Sequence, residues 1–315
     1  MKIYIALGSL LLVIACNPNN IDNPQNSVAI TGYVGNKTGV NIQLSKALAP
    51  VGKYLYTEVA KIFYINDAKV SLYDEQQKVV DLKFVGDGKY SFNDTLVWKP
   101  TVGKNYKIVA DIASYGIAES EFETFPKPAI IENVEHSTQL YTGVFSSQNL
   151  ENDLQQNIAI LLKPDPNKIQ YFEIQYEATA KKGAQVYNFQ NDAQGNNYIS
   201  PQKVTECGLV NDFDSFRNII FTTNCLINYR YHSNFLLAGT SVEKSNEKSD
   251  LTSITKLVLK VNTVSEGFHK YLINTKIQYS VDERFQEVPP SYTNIKNGIG
   301  HFYARNEDGI SYVIK

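Results

Sequence analysis

Arginine is scarce in this chain of 315 residues, which has only Arg217, Arg230, Arg284 and Arg305 among its 30 basic residues. Because 32 acidic residues slightly outnumber them, the formal net charge is −2. Without a basic excess the chain lacks the electrostatic footprint needed to bind a phosphate backbone, which argues against nucleic acid as a partner. Few arginines also means few bidentate clamps for phosphate or carboxylate groups.

Recognisable catalytic motifs are absent from the sequence as well. The four histidines, His136, His232, His269 and His301, are isolated from one another along the chain. There is no HExxH zinc motif, no GxSxG nucleophile elbow and no GxxxxGK[ST] phosphate loop. We therefore predict no catalytic site, no metal site and no cofactor.

Long apolar runs are missing except at the N-terminus, where Ile3 to Ile14 is too short to span a bilayer as a stable helix. Lys2 precedes this run and Cys16 ends it, in the order typical of a bacterial lipoprotein signal. The pattern predicts a signal peptide over residues 1–15, acylation of Cys16 with palmitate-like chains, and a polar tether over residues 16–26. The alternative is an ordinary secretory signal in which the cysteine is incidental.

Two further cysteines remain, Cys207 and Cys225. An exported protein lies in an oxidising compartment, so an even pair favours a disulfide. Two buried thiols are the alternative. Zinc is disfavoured because no CxxC motif or Cys/His cluster accompanies the pair.

Tyrosine and phenylalanine are abundant, with 21 and 15 copies, and suit pleated, half-buried strands. Short runs alternate apolar and polar side chains with a period of two, without helical patterns between them. Seven such runs precede Pro126: residues 28–34, 40–45, 68–73, 80–85, 89–92, 105–112 and 117–125. We predict a mainly β protein that begins with an antiparallel, Ig-like β-sandwich over residues 27–126.

Residues 127–315 are predicted to form a second β-rich, sandwich-like domain. Its strand candidates are residues 157–162, 169–178, 216–222, 234–240, 256–262 and 310–314. A single helix over residues 264–279 is predicted from the capping-box spacing of Thr263 and Glu266 and from an apolar stripe that includes Phe268 and Leu272.

Aromatic clusters are the first candidates for contact with a ligand or partner. The loop over residues 47–67 carries Tyr54 and Tyr56, and long loops are often functional; a lid packed on its own domain is the alternative. Tyr229, Arg230 and Tyr231 would stack on a flat ligand or glycan, or else form a strand with aromatic pairs on one face.

The stretch over residues 288–304 reads VPPSYTNIKNGIGHFYA. It resembles the C-terminal signature of a lipoprotein family of Bacteroidota, domain of unknown function 4249, which has a Pro-rich loop followed by an Asn-Ile-x-x-Gly-x-Gly-x-Phe turn. Residues 30–34, 40–45 and 164–166 resemble other family segments. Asn297 and Gly298 suit a tight turn and are a further candidate contact. Asp94-Thr95-Leu96 resembles a Bacteroidota O-glycosylation site, and modification of Thr95 stays open.

The family resemblance implies an accessory lipoprotein of an uptake system. Its expected partner is a TonB-dependent outer-membrane receptor, its expected location is the outer membrane, facing the exterior, and its ligand is unspecified. We expect a non-enzymatic binding protein. The alternative is a structural or adhesive surface module of a larger envelope assembly, which two sandwich domains with aromatic loops would suit equally well.

Overall fold

The computed structural model describes residues 28–46, 64–140, 154–182, 185–190, 197–201, 208–211, 218–239, 253–280, 292–309 and 311–314. These residues form a mainly β protein with a single α-helix in the described part, as predicted. The strands before Pro126 are β1 Val28–Gly35, β2 Gly39–Lys46, β3 Ala68–Asp74, β4 Lys78–Asp81, β5 Lys83–Gly86, β6 Lys89–Phe92, β7 Asn105–Ile112, β8 Gly116–Ser120 and β9 Glu123–Thr124.

The elements after Pro126 include the helix α1 Glu266–Ser280. The strands are β10 Ile131–Leu140, β11 Leu154–Leu162, β12 Tyr171–Lys182, β13 Gln185–Gln190, β14 Asn197–Pro201, β15 Gly208–Asn211, β16 Asn218–Thr222, β17 Arg230–Gly239, β18 Ser253–Val264, β19 Ile295–Lys296, β20 Gly298–Asn306 and β21 Ser311–Ile314.

The first module consists of two sheets that enclose one core. β1, β2, β6 and β5 are neighbours in one sheet, and β8, β7, β3 and β4 are neighbours in the other. Alternating side chains of both sheets are buried, as in the pattern of Tyr106, Ile108 and Ala110 along β7. The run predicted as one strand over residues 80–85 is divided at Leu82, because β4 belongs to one sheet and β5 to the other.

The C-terminal part of the chain completes both sheets of this module. β19 pairs with β8 in one sheet, and β20 pairs with β1 in the other, in parallel, with Val28 opposite Gly298. The antiparallel sandwich is therefore confirmed in its main features, with one parallel pair added that the sequence did not predict. The predicted boundary near Pro126 lies between β9 and β10.

The second module continues the same sheet through β18, whose end pairs with β20 at Val264 and Arg305. From there the strand order runs β12, β13, β14, β17, β11 and β10. A second core lies along these strands and includes Ile174, Leu259 and Val261. Within the described ranges, no helix has the length and apolar character needed to cross a membrane.

Helix α1 begins at Glu266, later than the sequence predicted, because β18 continues through Val264. Phe268 and Leu272 are buried in a third cluster together with Tyr303 of β20. The predicted apolar stripe is therefore core packing, and it fixes the helix against the strand that joins the two modules.

Candidate functional site

The turn that leads into β17 has an uncommon backbone for its sequence. Ile227 and Arg230 exchange two backbone hydrogen bonds of 2.9 Å across the turn. Asn228 and Tyr229 between them have φ angles of 51° and 62°. Positive φ at both central positions defines a type I′ turn, in which glycine is preferred at the second position. Here that position holds a tyrosine, a bulky residue for which this conformation is strained.

Tyr229 is held in place by the rest of the module while its side chain remains 65% exposed. Its carbonyl accepts a hydrogen bond of 2.9 Å from the backbone N–H of Leu162 in β11. The backbone of Tyr229 is therefore held both by the hydrogen bonds of its own turn and by the hydrogen bond from β11. An exposed aromatic side chain on a backbone held in this way is suited to anchor a bound molecule.

An open groove of about 1030 Å³ lies beside this turn. Residues 163–169 contribute one part of its lining, residues between 223 and 229 contribute another, and Glu132 adds a carboxylate. Asp165 accepts a hydrogen bond of 3.0 Å from the backbone N–H of Asn167. It also forms an ion pair of 3.3 Å with Lys127. These two interactions hold the pKa of the Asp165 carboxyl below its ordinary value, so this carboxylate is ionised and oriented.

The other two residues of the predicted aromatic cluster face different surroundings. Arg230 forms an ion pair of 3.0 Å with Glu135 of β10. Tyr231 is buried and stacks on Phe221, with ring centroids 3.7 Å apart. Tyr229 lies in the turn before β17 and is exposed, so it is available to a ligand, whereas Tyr231 lies in β17 and belongs to the second core.

A second exposed feature lies in the first module, in the turn after β6. Leu96 is 99% exposed and Val97 is 74% exposed. The turn is nevertheless fixed, because Asp94 accepts backbone hydrogen bonds at its carbonyl from Val97 and Trp98, at 3.2 and 3.1 Å. The Trp98 ring packs edge-on against Tyr106 with centroids 5.7 Å apart. We refer to residues 94–98 as the Leu96 turn.

No motif in the sequence marks Leu96 and Val97 as contact residues. Two apolar residues next to a tryptophan are as compatible with a core as with a surface, and only the packing of Trp98 shows which way the others face. Thr95, the candidate for glycosylation, is half-buried within this turn.

Several predicted residues lie outside the described part of the chain. These are Cys16, Tyr54, Tyr56 and Cys207. Cys225 is described and lies in a short 3-10 turn, with its Sγ 3.7 Å from Thr222 Oγ1. Among the described residues there is no disulfide, so a bond between Cys207 and Cys225 stays a prediction.

A sequence model of the family described as "Domain of unknown function (DUF4249)" matches residues 16–310. The chain belongs to this family. Among solved structures, this DUF4249 protein is similar to one described as "Biofilm associated protein - B domain", with 8% identity over 93% of this chain and 87% of that chain, at a TM-score of 0.20. A TM-score this low supports no inference about fold or function. No curated protein matches the chain at a significant level.

The C-terminal motif of this DUF4249 protein has a structural explanation. The buried side chain of Asn294 acts like a neighbouring strand: its Oδ1 accepts from the N–H of Phe302 at 2.9 Å, and its Nδ2 donates to the carbonyl of Phe302 at 2.7 Å. Asn297 has a φ of 56°, and a Cβ on Gly298 or Gly300 would overlap the backbone of β1. The motif therefore carries the chain from one sheet to the other and permits the close parallel pairing of β1 and β20.

Both residues of this motif that are predicted to contact a ligand or partner lie against neighbouring strands of the protein itself. Asn297 is exposed, but its Nδ2 donates to the carbonyl of Ile117 in β8 at 3.1 Å. Gly298 lies against the carbonyl of Val28. The geometry of both residues is accounted for by the turn itself.

Glu123 and His301 are buried ionisable groups of the DUF4249 fold that lie close to this motif. Burial raises the pKa of Glu123, although hydrogen bonds from Ser265 and Asn294 oppose the shift. Burial lowers the pKa of His301 to about 3, and its ring stacks on Tyr271 with centroids 3.7 Å apart. His301 Nδ1 has no hydrogen-bond partner in the described part of the chain. Both groups are enclosed in packing and lie outside the Tyr229 groove.

Proposed function

We propose that this DUF4249 protein is a lipid-anchored, non-enzymatic accessory protein of the outer membrane that binds a TonB-dependent receptor. The resemblance of its N-terminus to lipoprotein signals supports the anchor. The observation that carries the binding role is the Leu96 turn, which presents two apolar side chains to solvent on a fixed backbone.

A partner that covers the Leu96 turn would gain free energy from burying its apolar side chains. Covering an exposed leucine or valine side chain contributes about 1.5–3 kcal/mol. Because Asp94 and Trp98 already hold the turn, little conformational entropy is lost when a partner docks. An exposed apolar pair on a rigid support is therefore suited to enter a pocket of another protein.

The position of the turn favours a protein over the bilayer. The turn follows Phe92 at the end of β6. Phe92 pairs with Val40 of β2, and Val40 pairs with Val34 near the end of β1. Val28, where the predicted tether reaches the sandwich, is at the other end of this strand of eight residues, about 20 Å from Val34. The Leu96 turn thus lies at the end of the module remote from the expected anchor.

The absence of catalysis is part of the proposal and is supported by where the ionisable groups lie. His301 is neutral over the physiological range because burial lowers its pKa, and it is closed off from solvent. Glu123 is likewise buried and is hydrogen-bonded to Asn294 at 2.8 Å. Neither is placed to transfer a proton to a ligand in the groove.

The test is co-purification of the full chain from its native membranes in mild detergent, followed by mass spectrometry. We expect a β-barrel receptor with the wild type and its loss when Leu96 and Val97 are both changed to serine. Val85→Ser is the matched control, since Val85 is also exposed in the first module but lies near the opposite end of β5 and β6. Recovery without any barrel protein contradicts the proposal.

A separate measurement tests the anchor. Labelled palmitate should be incorporated into the wild type and not into Cys16→Ser, and the variant should leave the membrane fraction. If a deletion strain loses adhesion or envelope integrity while uptake stays normal, the structural alternative replaces the transporter role.

A further inference from the structure

We propose that the groove beside Tyr229 binds an uncharged oligosaccharide. This inference goes beyond receptor binding and rests on the proposed function for its biological setting, because a surface accessory protein would hold such a ligand for its transporter. The binding itself involves a different module from the Leu96 turn and can be tested in the isolated protein.

Tyr229 has a strained backbone conformation beside the groove. A type I′ turn with Asn at its first central position would be most stable with glycine at the second, yet Tyr229 occupies it with a φ of 62°. Strain of this kind persists where the surroundings enforce it and is common at binding sites. The result is a flat, exposed aromatic face, and sugar rings have apolar faces of C–H groups that pack on such a surface.

The lining of the groove carries amide and hydroxyl groups. Asn167, Asn224, Asn228 and Thr223 line the groove around the aromatic face. An asparagine amide has both donors and acceptors, so it can pair with the hydroxyl groups of a sugar, which also donate and accept. The combination of an aromatic platform with amide and hydroxyl groups matches the two kinds of surface that a sugar presents.

The charges of the lining are balanced. The lining contains two acidic side chains, Glu132 and Asp165, and two basic side chains, Lys163 and Lys168. A groove without an excess of either sign offers no advantage to a phosphate, a nucleic acid or a strongly charged peptide, and it favours an uncharged ligand.

The groove is bounded by restricted backbone segments and is large. Pro164 and Pro166 restrict the backbone of one part of the lining, and the Tyr229 carbonyl is fixed by Leu162. A preformed surface keeps the entropic cost of binding low. At about 1030 Å³ the open groove has room for several linked sugar rings, so an oligosaccharide fits better than a monosaccharide.

The experiment uses the full chain in mild detergent and a panel of uncharged probes: maltohexaose, cellohexaose, xylohexaose, laminarihexaose and mannohexaose. Isothermal titration measures each affinity. We expect at least one probe to bind, and we expect Tyr229→Gly to weaken it about tenfold because the stacking face is lost. Tyr229→Phe should retain the affinity, since it keeps the ring.

The glycine variant separates folding from binding. It creates the Asn-Gly pair that a type I′ turn prefers, so its melting temperature should equal or exceed that of the wild type. Absence of binding to the whole panel, or equal affinities for wild type and Tyr229→Gly, overturns the inference. Preferential binding of heparin or a basic peptide would also overturn it in favour of a charged ligand.

The two proposals fail independently. Leu96→Ser combined with Val97→Ser should lose the receptor and keep the oligosaccharide. Tyr229→Gly should lose the oligosaccharide and keep the receptor. A protein that binds a probe but captures no barrel protein refutes the transporter role alone.

Discussion

The carboxylate of Glu123 in β9 accepts a hydrogen bond from the backbone N–H of Gly267 at the start of α1. A carboxylate from the first module thus caps the helix that follows the long strand β18 of the second. The N-terminus of a helix attracts negative charge, so the contact stabilises both the helix and the attachment of the modules. It also explains a glycine that would otherwise only weaken the helix.

Gly267→Ala is therefore expected to destabilise the protein. In an ordinary helix this change stabilises by about 1 kcal/mol. Here a Cβ at residue 267 would overlap the Glu123 carboxylate, so we expect a loss on the order of 2 kcal/mol in the free energy of unfolding. Urea denaturation measures it.

The double variant with Glu123→Ala provides the control. With the carboxylate removed, the alanine no longer meets an obstacle, so the two losses should not add. Strictly additive losses would show that the contact between these residues is unimportant.

Asn294→Asp tests the side chain that substitutes for a strand. The change keeps the size and the acceptor oxygen but removes the Nδ2 donor to Phe302 and Glu123, and it places a second carboxyl group beside the first. We expect a loss of about 2–4 kcal/mol, since a buried acceptor is left unpaired and like charges meet. Asn297→Asp, at an exposed position of the same motif, should cost much less in the same denaturation experiment.

Local patterns predicted most strands and the helix but not how distant strands meet. Alternation identified β1, β2, β3 and β7 because side chains of one face are buried. The pairing of Val28 with Gly298 joins residues from opposite ends of the chain, and no short-range pattern encodes it. The Asn-Gly turn was predicted, but its role in changing sheets depends on that long-range pair.

The candidate surfaces were only partly visible in the sequence. Tyr229 was marked by its aromatic and cationic neighbours, yet its left-handed backbone is a property of the folded turn. Leu96 enters the sequence analysis only as part of the possible glycosylation motif, and neither it nor Val97 is predicted as a contact, because composition does not distinguish an exposed apolar residue from a buried one. Exposure depends on which of the neighbouring residues packs inward, and here that residue is Trp98.

His301 gives the stability a dependence on pH. Its ordinary pKa of 6.5 applies in the unfolded chain, whereas burial lowers it to about 3 in the fold. Between these values the unfolded state binds the extra proton, so stability is lost as the pH falls from 6.5 towards 3. At about 1.4 kcal/mol per pKa unit, roughly 3 kcal/mol is lost by pH 4.

His301→Phe is the matched variant, because it keeps a ring beside Tyr271 and removes the titrating group. Urea midpoints measured from pH 7 to pH 4 should fall less steeply for the variant. Glu123, whose pKa is raised by burial, contributes in the opposite direction in both proteins and cancels in the comparison. Parallel pH profiles would contradict the assignment.

The strand register supports a test of the predicted disulfide. Gly208, the residue after Cys207, pairs with Phe221, four residues before Cys225. Closing this short loop should stabilise by roughly 3 kcal/mol in the chain-entropy model. Cys207→Ser and Cys225→Ser should therefore cost similar amounts, and the double variant should cost no more than either single one, because one bond is lost in all three. Additive losses, or two alkylated thiols found by mass spectrometry of the unreduced protein, would refute the bond.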